Sequence, residues 1–114
     1  MSMEYIVKIN CEKIACWDSF HDEFILKMGF PDFYGRNMNA WIDCMSSLSE
    51  PDDGMTTIHC EKGGVVTLQL INALELKRKH LDLYEAIIEC TAFVNFRLND
   101  VGEPSVLALS YDLK

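Results

Sequence analysis

The sequence has no apolar run approaching the ~20 residues that a bilayer span requires. Its opening residues, Met1 to Tyr5, carry neither a basic stretch nor the apolar core of a secretory signal. Such a chain is expected to remain cytoplasmic and to make no membrane contact. Positive charge is scarce: 10 Lys and Arg stand against 18 Asp and Glu, for a formal net charge of -8. An average surface of that sign repels nucleic acid and anionic lipid alike, and permits a basic protein as partner.

Catalytic and metal-binding signatures are missing too. No G-x-S-x-G, P-loop or dinucleotide fingerprint occurs, and Gly63-Gly64 alone is a turn. His21, His59 and His80 fall on three different expected elements, and no pair has zinc-helix spacing. The five cysteines, Cys11, Cys16, Cys44, Cys60 and Cys90, are odd in number and irregularly spaced. They read as free thiols of a reducing compartment. No cofactor and no metal is expected, and the chain is read as a non-enzyme. Carboxylate pairs assembled by the fold stay open, since 18 acidic residues offer too many pairings to choose among.

What is present fits one domain spanning residues 1–114, with 49% hydrophobic and 25% charged residues. Residues 3 to 9 are short, β-branched and apolar, and are expected to form a first strand. Trp17, Phe20, Phe24, Ile25 and Met28 have helical spacing, with Asp18 or Ser19 to cap the start and Gly29 to close the end. A second helix is expected over 37–48, with Met38, Trp41, Ile42, Met45 and Leu48 as its buried stripe. Residues 49 to 64 read as an insertion holding an additional strand (Met55 to Cys60) or a hairpin turning at Gly63-Gly64. Val65 to Ile71 reads as a strand, 73 to 79 as a short helix, and Asp82 with Glu85 as a capping box opening a longer helix. Leu83, Ile87, Cys90 and Val94 would supply that helix's inner face, and Ser105 to Tyr111 the last strand. Strands separated by helices predict an α/β fold with a parallel sheet.

Three polar features can be weighed for function. Glu85 and Glu89 stand one helical turn apart and Lys77-Arg78-Lys79 form a short basic run. Both are ordinarily solvated faces, though the two glutamates could help to meet a basic partner. The second helix is more specific. Its other face carries Asn39, Asp43 and Ser46, and it follows a loop with Phe33, Tyr34 and Gly35. Aromatics supply anchoring area, and a helix holds a carboxylate at low entropic cost.

The run Phe30-Pro31-Asp32-Phe33-Tyr34-Gly35-Arg36-Asn37-Met38-Asn39-Ala40-Trp41-Ile42-Asp43-Cys44-Met45 resembles the signature of the barstar family, and Ile14, Phe20, His21, Phe24 and Met28 fall in the register of that family's first helix. The resemblance implies a two-layer α/β domain with a three-stranded parallel sheet. It also implies a stoichiometric, non-catalytic inhibitor, an immunity protein or antitoxin that binds a basic barnase-type ribonuclease or nuclease toxin one to one. In that family the second helix and the loop before it enter the nuclease's phosphate site. Carried over by position, Asp43 would meet the catalytic cations, Phe33 would stack, Tyr34, Gly35, Asn37 and Asn39 would contribute contacts, and Ile42, Ser46, Ser47 and Leu48 would form the rim. Five positions depart from the family pattern: Asn39 replaces a common aspartate, Arg36 an acidic residue, Phe33 lacks a hydroxyl, and Trp41-Ile42 inverts the aromatic placement. A barstar-like module serving a partner other than a nuclease is the competing expectation.

Overall fold

The computed structural model describes residues 5–112. Three strands, β1 (Tyr5–Asn10), β2 (Val66–Ile71) and β3 (Leu107–Asp112), lie in the order β1-β2-β3. Both pairings are parallel, with Val7, Leu68 and Leu109 abreast. The crossover from β1 to β2 carries α1 (Trp17–Met28) and α2 (Met38–Met45), and that from β2 to β3 carries α3 (Ala73–Lys79) and α4 (Leu81–Asp100).

Alternation along the strands decides the layering. Val7, Ile9, Val66, Leu68, Leu70 and Leu107 point into a core shared with Phe20, Phe24, Trp41, Leu83, Ile87 and Val94 of the helices. The opposite face carries Ile6, Lys8, Thr67, Gln69, Ala108 and Ser110, none of them buried. The domain is therefore a sheet with helices on one side, in keeping with the two layers expected.

Several ends are set by single residues. Gly29 closes α1 in the left-handed conformation at φ 68, and its amide donates to the Ile25 carbonyl. The start of α1 lies earlier than expected: Cys16 is the cap, and the Ser19 hydroxyl accepts from the Ala15 and Cys16 amides at 2.8 and 3.0 Å. The capping box anticipated at Asp82 and Glu85 does not form. His80 both ends α3 and begins α4, and its carbonyl accepts from the Leu83 and Tyr84 amides at 3.1 Å. Within α4 it is Thr91, alongside Leu83, Ile87 and Val94, that is buried, and Cys90 is only half-buried.

The strand or hairpin expected in the 49–64 segment is also absent among the described residues. The segment forms a short 3-10 turn at Pro51–Asp53 and then an irregular strap. Its backbone donors go to the end of α1 and to the turn after α2 instead of a ladder: Thr57 and Ile58 donate to the Met28 carbonyl, and Cys60 donates to the Leu48 carbonyl. A carbonyl that α1 leaves without a partner at its C-terminus, and one in the turn after α2, thus claim amides a strand would have used. Gly63-Gly64 belong to a tight turn, closed by the Gly64 amide on the Glu61 carbonyl, that feeds directly into β2. The last strand is anchored by Asn95 of α4. Its side-chain oxygen accepts from the Val106 and Leu107 amides, and its amide group donates to the Leu107 carbonyl.

Candidate functional site

Asn37 starts α2. It sits in extended conformation, and its side-chain oxygen accepts from the Ala40 amide at 2.8 Å while its NH2 group donates to the Gly35 carbonyl at 3.2 Å. The cap satisfies an amide the helix would otherwise leave bare and fixes where the loop ends. From there the 3.6-residue period buries Trp41, Ile42, Cys44 and Met45. Trp41 meets Phe24 of α1 edge to face, ring centroids 5.5 Å apart. Burial, with the Asp43 charge adding to it, pushes the Cys44 thiol up to about 11, so behind the helix it is a packing group and not a nucleophile.

The other face is open. Asn39 is exposed, and the Asp43 side chain retains 58% of its accessible surface. One oxygen of Asp43 accepts from Nη1 of Arg97 on α4 at 3.0 Å. The carboxylate is therefore oriented without being enclosed. Ser46 and Ser47 are half-buried at the end of the helix, where the Ser46 hydroxyl is turned inward and donates to the Ile42 carbonyl at 2.6 Å.

The loop before α2 splits its aromatics between two tasks. Phe33 is 74% exposed, whereas Tyr34 is buried against Phe30, ring centroids 4.6 Å apart. The Tyr34 hydroxyl lies 2.6 Å from Nδ1 of His21 on α1, which pins the loop to the first helix. Arg36, in a left-handed conformation at φ 53, turns back onto α1, with Nη2 3.1 Å from Asp18 and Nη1 3.0 Å from Asp22. The departure from family pattern at Arg36 is thus neutralised inside the molecule. Of the residues expected at the surface, Phe33, Gly35, Asn37, Asn39 and Asp43 are exposed and Ser46 and Ser47 are half-buried; Tyr34, Ile42 and Leu48 are buried. Those last three lie behind the surface and support it: Ile42 faces the core from α2, Leu48 from the turn after it, and Tyr34 packs on Phe30 from the loop before it. Arg97 was not foreseen, being 54 positions from Asp43 with no local signal to join the two.

His21 has a consequence for pH. Burial first, and then the charge of Arg36, hold its pKa below the ordinary value of 6.5. The unfolded chain therefore binds this proton near pH 6.5, while the folded chain refuses it until lower pH. Stability contributed by neutral His21 is complete above that value and declines as pH falls beneath it. Urea unfolding at pH 7.5 and 5.5 is expected to show wild type losing more stability than His21→Gln; equal losses would remove this residue from the pH response.

The described residues bring together no group of three or more His, Cys, Asp or Glu able to hold a metal. None of their helices is long and apolar enough to cross a membrane. No curated protein is similar enough to match the chain. The family model described as Barstar (barnase inhibitor) matches residues 4–110, nearly the whole length, so that this chain, with its capped second helix and three-stranded parallel sheet, belongs to the barstar family.

Proposed function

We propose that the protein acts, as a single cytoplasmic domain, as a stoichiometric inhibitor of a barnase-type ribonuclease, with Asp43 occupying the site that binds substrate phosphate. The observation that carries this reading is the Asp43 carboxylate, held outward on a short, tightly packed helix whose preceding loop exposes the ring of Phe33. A ribonuclease must gather cations to bind phosphate and to stabilise charge in its transition state. A carboxylate already oriented can accept from the same donors without the cost of ordering a flexible side chain. Asn39 would lie beside it, with Asn37 and Gly35 at the loop end and Ser46 and Ser47 at the far end. Tyr34, Ile42 and Leu48 act from beneath. The net charge of -8 would speed encounter with a basic nuclease. For a producer of such an enzyme the protein would serve as antitoxin, an immunity function.

The test is a titration of a purified barnase-type ribonuclease against the protein. Activity is expected to fall linearly to zero at one equivalent, and undiminished activity at excess inhibitor would reject the reading. One internal feature favours the alternative of a module for another protein partner: Arg97 already neutralises part of the charge at Asp43. Asn39→Asp adds an anion on the exposed face of α2 and is expected to tighten binding to a barnase-type enzyme by about tenfold. Unchanged or weaker inhibition by that variant would favour the non-nuclease partner.

A further inference from the structure

An amphipathic helix packed on a core ordinarily turns polar residues outward, and α4 does not do so throughout. Phe93 and Phe96 are 46% and 62% exposed, with ring centroids 6.3 Å apart. Helical spacing puts Glu89, Phe93, Phe96, Arg97 and Asp100 on one outer face. Phe93 precedes Arg97 by one turn, and Arg97 is the residue bonded to Asp43. The aromatic pair is therefore continuous with the open face of α2 through an ion pair, and is not an isolated patch.

From this we infer that Phe93 and Phe96 form an apolar extension of the α2 site, and that the same basic protein gripped by Asp43 covers them with an apolar patch bordered by cations. The inference rests on the inhibitor reading above. Charge selects the occupant. The pair is bracketed by the exposed carboxylates of Glu89 and Asp100, which a basic rim would complement. A second copy of this chain fits poorly. Antiparallel docking about the two rings sets Glu89 against Asp100, and parallel docking sets each acid against itself, between chains that each carry -8.

The experiment uses barnase as probe and measures its binding by the full-length protein and by Phe93→Ala, Phe96→Ala and Asp43→Ala. Sedimentation of the free proteins is run in parallel. Both rings are solvent-exposed, so the alanine variants are expected to melt as wild type does. Each phenylalanine variant should bind about tenfold more weakly, as expected for losing a covered aromatic ring, with Asp43→Ala weakened as well. Wild-type affinity in both phenylalanine variants alongside a weakened Asp43→Ala would overturn the extension and leave the inhibitor reading standing. No binding by wild type would overturn both. A wild-type dimer that the phenylalanine variants dissolve would overturn the inference in favour of self-association.

Discussion

Replacing Asp43 by alanine is expected to weaken inhibition of a barnase-type ribonuclease by about 3–5 kcal/mol, a factor of roughly one hundred to several thousand. In the complex the carboxylate would be covered and would satisfy cations gathered to hold a phosphate. Truncating it leaves those cations buried against nothing, which costs far more than the loss of one exposed contact. The free protein should barely notice. Its own ion pair to Arg97 is exposed on both sides, and such pairs contribute about 0–1 kcal/mol. Titration of nuclease activity together with thermal melting separates the two effects: a large loss of inhibition with an unchanged melting temperature is expected, whereas a lowered melting temperature would assign Asp43 a structural role.

The second large effect concerns the strap across the helix ends. Gly29→Ala meets two penalties at one position. Alanine at φ 68 is strained, and its Cβ would lie 1.9 Å from the Thr57 Oγ1 and 2.7 Å from the Thr57 Cβ. Left-handed backbone costs a residue with a side chain about 1–2 kcal/mol, and forcing atoms into an occupied space costs about 1–3 kcal/mol more. A destabilisation of about 2–5 kcal/mol is therefore expected in urea unfolding. Two controls divide it. Gly63→Ala has the left-handed backbone, at φ 83, but open space around the new Cβ, and should cost only the backbone part. Gly29→Ala combined with Thr57→Gly removes the colliding side chain and should recover part of the collision cost. If Gly63→Ala proves as harmful as Gly29→Ala, the close approach of the strap to α1 is not what matters.

These two positions mark what could and could not be read from residue order. Gly29 was legible because the helical period of Phe20, Phe24 and Met28 stops beside a glycine and is followed by Pro31. Its second role was not, since Thr57 arrives from a segment whose sequence pattern suggested a strand. Met55 to Cys60 lies between Gly54 and the Gly63-Gly64 turn as a strand would, but the carbonyls of Met28 and Leu48 take its amides, and only the folded arrangement brings those donors and acceptors together. Helix α2 was legible because its apolar stripe is local, although the helix ends at Met45 and not at residue 48, where the stripe stops. Ile42 on the inner side of α2 and Leu48 in the turn after it, both placed at the rim by family position, are core residues in this chain. Arg36 looked adverse as a charge in a recognition loop, until its pairing with Asp18 and Asp22 showed where that charge goes. Arg97 and the phenylalanines of α4 escaped notice for one reason: the outer face of a long helix acquires meaning only from what it lies beside.

The most direct test asks whether Asp43 takes the place of a phosphate. The apparent dissociation constant of the protein for a barnase-type ribonuclease can be measured at rising concentrations of a nucleotide 3′-monophosphate that occupies the nuclease active site. A proportional rise in that constant is predicted, because one set of cations cannot hold both anions. A constant indifferent to the nucleotide would contradict occupation of the phosphate site by Asp43.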